Sequence, residues 1–315
     1  MSNLSLFDEP HPLAEKLRRL AGRGVMIGTS SWKYEGWIGQ IYSEERYFTR
    51  GKFSQKKFEE TCLEEYAETF PIVCGDFSFY QFPSDDYWRK LFASAPSTLE
   101  FAFKVPEEIT VKKWPTHARY GRRAGQENEN FLNAEIFTRL FYEPLTPYGK
   151  RAAVFIFEFG TFSKAAFPSV NEFLNALDPF LAALPKGPRY SVEIRNAEYL
   201  CPEYFNVLRA HGVAHVFNAW TRMPDIPTQT SIEAAYTADF TVTRALLRRG
   251  RPYEEAVKSF EPYRDIQDPI PETREALRAL IQKALGEQRP SYIFVNNRLE
   301  GNAPKTIEAI VEELE

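Results

Sequence analysis

The chain has 315 residues, 43% of them hydrophobic and 26% charged, with a formal net charge of −4. This is the composition of a globular protein and excludes disordered and collagen-like classes. The acidic balance argues against bulk attraction to nucleic acid or an anionic membrane, while aromatics at 15% supply a bulky core and flat faces for ligands.

The N-terminal MSNLSLFDEPHPLAEKL has early acidic residues and no apolar core of the signal-peptide type. No apolar run approaches the length of a membrane span. Cys62, Cys74 and Cys201 form no CxxC pair, so neither a disulfide framework nor a zinc ribbon is expected, and a reducing cytoplasm is. Residues 1–24 read as an N-terminal segment ahead of one domain over 25–315.

Along that domain, β-type runs occur at 25–29, 73–79, 100–105, 152–159, 189–195, 213–218, 240–246 and 291–297. Between them lie stretches with apolar residues at helical spacing, such as KFSQKKFEETCLEEYAETF, NFLNAEIFTRLFYEPL and PETREALRALIQKALGE. Eight strands alternating with helices predict an α/β fold, a (β/α)₈ TIM-type barrel. It is irregular between strands six and seven, where 219–238 carry a short helix or none. An open doubly wound sheet is the alternative, but no GxGxxG follows the first strand. The long polar connections 106–130 and 247–271 follow strands three and seven and leave the carboxyl rim, where barrel enzymes keep their sites.

Charge inside barrel strands needs a reason, since both faces are covered. In YSVEIRNAEY (190–199), Val192 and Ile194 point one way and Ser191, Glu193 and Arg195 the other. Strand two places Asp76, Ser78 and Tyr80 on one parity. Strand three ends at Lys104, strand four at Glu158, strand seven supplies Arg244, and strand eight ends in Asn296 and Asn297. Together they predict one polar site at the barrel mouth. A buried ion-pair network that braces the barrel without chemistry is the competing reading.

The segments IGTSSWKYEGWIGQIY, FSFYQFP, EFAFKVPEEIT, SVEIRNAEY and YIFVNNRLEGNAP, in this order, resemble the DUF72 (YecE-like) family from about residue 25 to the C-terminus. The resemblance implies a TIM-barrel-type fold and names no reaction. It carries over to Gly28, Thr29, Ser30, Trp32, Tyr34, Trp37, Phe79, Tyr80, Lys104, Glu193, Arg195, Asn296 and Asn297. The chain departs from the resembled pattern in VCGDFSFY, with Cys74 for a glutamate and Asp76 for an asparagine. It departs again at Val111 after Thr110, where a TH pair is common, and in Glu158–Thr161, where a QLPP-like stretch is usual.

Several chemistries are weighed against these residues. A histidine-rich metal site is disfavoured, because His11, His117, His211 and His215 are scattered and the last two flank the start of strand six. No GxSxG elbow is present, and Cys74 reads as a buried structural thiol. Lys104 suits anion binding or pairing better than a Schiff base. Glu158 and Glu193 end neighbouring strands and could divide acid and base work. The expectation is an enzyme acting on a small anionic or polyhydroxylated, sugar- or phosphate-like substrate, with catalytic candidates Glu193, Lys104, Glu158 and Asp76. Trp32, Tyr34, Trp37, Tyr80, Arg195, Asn196, Arg244, Asn296 and Asn297 are the substrate-binding candidates. No nicotinamide or zinc site and no metal ligand is assigned. Two alternatives stand beside this: a carboxylate-dependent divalent-metal phosphoesterase or nuclease, and a noncatalytic protein binding a ligand or nucleic acid, with nucleic acid not favoured.

Overall fold

A computed structural model describes residues 12–314. Eight parallel strands close into a barrel: β1 Val25–Thr29, β2 Ile72–Gly75, β3 Glu100–Lys104, β4 Ala152–Glu158, β5 Tyr190–Glu193, β6 Ala214–Ala219, β7 Thr241–Ala245 and β8 Ser291–Val295. They neighbour one another in chain order, and β8 returns to pair with β1. The longer helices are α1 Pro12–Ala21, α2 Gln55–Thr69, α3 Asp85–Ala93, α4 Val170–Ala183, α5 Pro202–Ala210, α6 Tyr253–Phe260, α7 Pro271–Glu287 and α8 Ala303–Val311. The expected (β/α)₈ barrel is the observed fold. Of the N-terminal segment expected over 1–24, residues 1–11 lie outside the described residues, as does most of the stretch read for a signal peptide. The remainder contains α1, whose Leu13, Leu17 and Leu20 are buried.

The two-residue period of the strands sorts side chains into two cores. Inward rows such as Ile72 and Cys74, Val154 and Ile156, Ala214 and Val216, and Tyr292 and Phe294 fill the barrel as one apolar cluster. Outward rows, including Phe101–Phe103, Phe155–Phe157 and Phe217, pack under the helices in a larger, aromatic-rich cluster. His215 belongs to the outward set, packed against Tyr204, Phe205 and Phe217, and burial lowers its pKa to about 3. Among the described residues no helix is long and apolar enough to cross a membrane.

Strand ends differ from the sequence expectation by two residues or more in three places. The pattern extends strand two to residue 79, but β2 stops at Gly75 and Asp76–Phe79 form a 3₁₀ turn. The Ser78 hydroxyl fixes that turn, within hydrogen-bond reach of the Gly75 carbonyl at 3.1 Å and the Lys104 carbonyl at 2.7 Å. The single parity expected for Asp76, Ser78 and Tyr80 is therefore broken: Ser78 is sealed while Tyr80 is 59% exposed. β5 stops at Glu193, two residues early. β8 stops at Val295, because the Asn296 side chain accepts from the Arg298 N–H at 2.9 Å and caps the turn Asn297–Glu300. Between β6 and β7 there is only the five-residue helix Ile226–Thr230 and a 3₁₀ turn, the irregularity the sequence indicates.

Candidate active site at the carboxyl end of the barrel

Inward rows that are apolar at the amino end turn polar at the carboxyl end. The last inward positions of β3, β4, β5, β6 and β7 are Lys104, Glu158, Glu193, Asn218 and Arg244. Arg195 follows β5, and Asp76 enters from the turn after β2. Glu158 and Glu193 are registered neighbours on adjacent strands, a like-charge juxtaposition that needs cations between them.

Arg244 Nη1 lies 2.5 Å from an oxygen of each carboxylate, while its Nη2 meets Asp76 at 3.1 Å. Arg195 Nη2 lies 2.5 Å from Glu193 Oε1 and 3.1 Å from Glu158 Oε2. Lys104 Nζ reaches Glu158 Oε2 at 3.0 Å and Asp76 at 3.8 Å. Three cations thus balance three carboxylates. All three cations converge on the single oxygen Oε2 of Glu158.

Burial separates the members of this network. Glu193 is wholly sealed, and Arg244, Arg195 and Lys104 are nearly so. The side chains of Glu158 and Asp76 keep 15% and 31% exposure, so these are the carboxylates that open toward the mouth. Burial alone would raise the Glu158 carboxyl, but Lys104, Arg195 and Arg244 together hold it well below the usual carboxylate range. For Lys104 burial works against the ammonium, and Glu158 and Asp76 overcome it and raise its pKa. Both groups are therefore charged at neutral pH, and Lys104 is not the neutral amine that Schiff-base chemistry requires.

Aromatic rings support the cations. Arg195 stacks on the Trp220 ring at 3.8 Å, and Lys104 Nζ sits 3.9 Å from the Phe79 ring centroid. Neither Trp220 nor Asn218 was singled out from the sequence. The signal that could have found them is adjacency of β5 and β6, which places Trp220, just past the end of β6, beside Arg195. Nε and Nη1 of Arg195 and Nε of Arg244 are buried without a hydrogen-bond partner among the described residues.

The remaining candidates fall into two groups. Tyr80 stands on the rim with the Arg119 guanidinium 4.9 Å from its ring. Tyr34 packs on Trp37 and Tyr263, and Trp32 is buried edge-on against Phe77. Trp37 is fully buried, and its indole N–H donates to Asn297 Oδ1 at 3.1 Å, an oxygen that also accepts from the Ala303 N–H at 2.7 Å. Asn196 is committed to the loop after β4, bonding Phe162 N and O at 2.7 and 3.1 Å. Trp37, Asn196, Asn296 and Asn297 thus carry hydrogen bonds that position the loops around the mouth.

Among the described residues no group of three or more His, Cys, Asp and Glu is arranged to hold a metal ion. The mouth carboxylates instead have lysine and arginine partners. Asp76 and Glu158, two of the departures from the resembled pattern, stand on either side of Lys104.

Fold and site together define a (β/α)₈-barrel protein with a charge-balanced polar cluster at its carboxyl end. The chain belongs to DUF72, described as a protein of unknown function, whose family model matches residues 26–315. It is similar to the crystal structure of a DUF72 family protein from Thermotoga maritima, with 22% identity and a TM-score of 0.61 over 92% of this chain and 98% of that one. A DUF72 family protein from Enterococcus faecalis is similar at 16% identity and a TM-score of 0.59, covering 92% of this chain and 95% of that one. These likenesses show the fold. No curated protein matches.

Proposed function

We propose that the carboxyl end of the barrel is an active site for a small polyhydroxylated or anionic substrate, with Glu158 as the group that exchanges a proton with it. The observation that carries this reading is the convergence of Lys104, Arg195 and Arg244 on Glu158 Oε2 at a carboxylate still open to the mouth. A substrate oxygen that draws Lys104 or Arg244 away from Glu158 removes the charges that depress its pKa, so binding itself makes Glu158 a stronger base. Lys104 then faces the charge that develops on the substrate. Glu193, sealed between two arginines, is a positioning residue in this scheme. Because the carboxylates are paired with side-chain cations, the scheme is favoured over a carboxylate-held divalent metal. The free thiols of Cys62, Cys74 and Cys201 suit a reducing compartment such as the cytoplasm.

The test is a depletion screen of a small-metabolite mixture with wild type and Glu158→Gln. A hydroxylated or anionic compound consumed by wild type, and consumed about a hundredfold more slowly by the folded variant, supports the reading. Equal consumption by the two proteins overturns it. The exact charge balance of the cluster favours one second reading, a site that binds without turnover; it is supported if a ligand is retained unchanged and Glu158→Gln loses it.

A further inference from the structure

A cavity of about 640 Å³ opens at the opposite, amino end of the barrel. Its volume falls within the range of about 300–1,000 Å³ that small-molecule pockets occupy. Two local irregularities lie along it. Pro147 interrupts regular helix formation, so Glu143–Arg151 form 3₁₀ turns kinked at Gly149, φ +52°. The chain then enters β4 with a register shift against β3: Phe101 pairs with Ala152 and Ala102 with Val154, leaving Ala153 as the extra residue. Such a bulge re-aims the strand, and Ala153 lines the cavity.

The floor is apolar, built from Met26, Ala153 and Tyr292. The rim is not. Lys150, Lys186 and Arg189 line it with one carboxylate, Glu100, and none of the four belongs to an ion pair among the described residues. The Arg189 guanidinium lies 5.8 Å from the ring centroid of Tyr292, which lines the cavity, and 5.8 Å from that of Phe240, packed against Tyr292. On a chain of net charge −4, three cations gather around Glu100 at an apolar depression, with Asp239 the further carboxylate acting on Tyr292, and leave a local excess of positive charge.

We propose that this amino-end cavity binds a phosphate monoester carrying a flat apolar body, the body against Met26, Ala153 and Tyr292 and the dianionic head held by Lys150, Lys186 and Arg189. An anionic head answers the local excess of positive charge, and the apolar floor accepts a flat ring beside Arg189. The site is separate from the mouth and does not depend on the reading given to it.

Calorimetric titration of the full chain with phenyl phosphate tests this, with inorganic phosphate and phenol as controls. Saturable one-to-one binding is expected, tighter than for either control. Arg189→Ala should weaken it by about tenfold or more, as the loss of a charge-assisted contact implies. Ala153→Phe should remove it by filling the floor, and an unchanged melting curve for Arg189→Ala keeps the test independent of whether the bulkier variant folds. The proposal is overturned by absence of saturable binding at millimolar ligand, by inorganic phosphate binding as tightly as the ester, or by binding that survives Arg189→Ala and disappears in Lys104→Met, which would put the phosphate at the mouth.

Discussion

Arg244 joins Glu158 and Glu193 through the same nitrogen, Nη1 standing 2.5 Å from each carboxylate. The two acids are registered neighbours on β4 and β5, so one guanidinium from β7 reaches across the barrel to neutralise a pair that would otherwise repel. Arg195 reinforces the pair from its other side. The carboxyl end is thus held by electrostatics where the rest of the interior is held by apolar packing, and this makes both its stability and its chemistry sensitive to single charges.

Arg244→Met should destabilise the barrel by about 3–5 kcal/mol, because two buried carboxylates lose their common partner. Adding Glu193→Gln to that variant should recover part of the loss, with a coupling above about 1 kcal/mol in a double-mutant cycle measured by urea unfolding. Strictly additive costs would show that the two groups do not share the interaction seen here.

Stability should change with pH at both ends of the scale, for opposite reasons. Glu158 is depressed in the folded state by its three cations, after burial has opposed them. Its contribution is present above its unfolded pKa of about 4.3 and is lost as pH falls through the folded value. Lys104 is raised by Glu158 and Asp76 against burial. Its contribution is complete below the unfolded value of about 10.4 and is lost as pH rises through the folded one. Glu100 has the opposite sign to Glu158, since burial raises it, so its ionisation opposes folding at neutral pH. Glu158→Gln should therefore flatten the acid limb of the stability curve, whereas Glu100→Gln should raise the melting temperature at pH 7 and leave it unchanged near pH 4. Parallel acid limbs for wild type and Glu158→Gln would overturn the assignment.

Trp220 acts on the site through Arg195, 3.8 Å from its ring. Trp220→Ala should weaken binding of a mouth ligand by up to about thirtyfold, corresponding to a desolvated cation–π contact of about 2 kcal/mol. Trp220→Phe, which keeps a π face, should restore much of the affinity. Equal losses in the two variants would indicate that bulk at this position matters and the stacking does not.

The barrel was legible because each strand carries its own period-two signal, and Lys104, Glu158, Glu193 and Arg244 were legible because charge on an inward row needs partners of opposite charge at the same end of the barrel. Other features are not local. Asp76 reaches the network through a 3₁₀ turn that Ser78 ties to β3, a contact between residues 26 apart in the chain. Trp220 lies at the start of the stretch with the weakest helical pattern, and its value comes from the strand beside it. Trp37 and Asn297, 260 residues apart, read as substrate-binding candidates in sequence and are buried hydrogen-bond partners in the fold. The amino-end cavity is lined by Ala153, the extra residue of a one-residue register shift that no hydrophobic pattern reveals.

Barrel closure rests on a narrow seam that makes a last prediction sharp. β1 pairs with β2 through only Gly28↔Ile72 and Thr29↔Val73. A Cβ added to Gly28 would stand 1.9 Å from the Ile72 carbonyl oxygen and 2.8 Å from its carbon. No rotamer relieves a clash with backbone, so the strands must part at a seam of only two registered pairs. Gly28→Ala should cost about 3 kcal/mol or more, at the upper end of overpacking penalties. Gly286→Ala provides the control: it lies in α7, nothing stands within 4 Å of the added carbon, and the substitution should stabilise by up to about 1 kcal/mol. Differential scanning calorimetry of the two variants should move the transition in opposite directions. A Gly28→Ala protein that melts with wild type would mean the seam can open without penalty, and that barrel closure does not depend on the missing side chain.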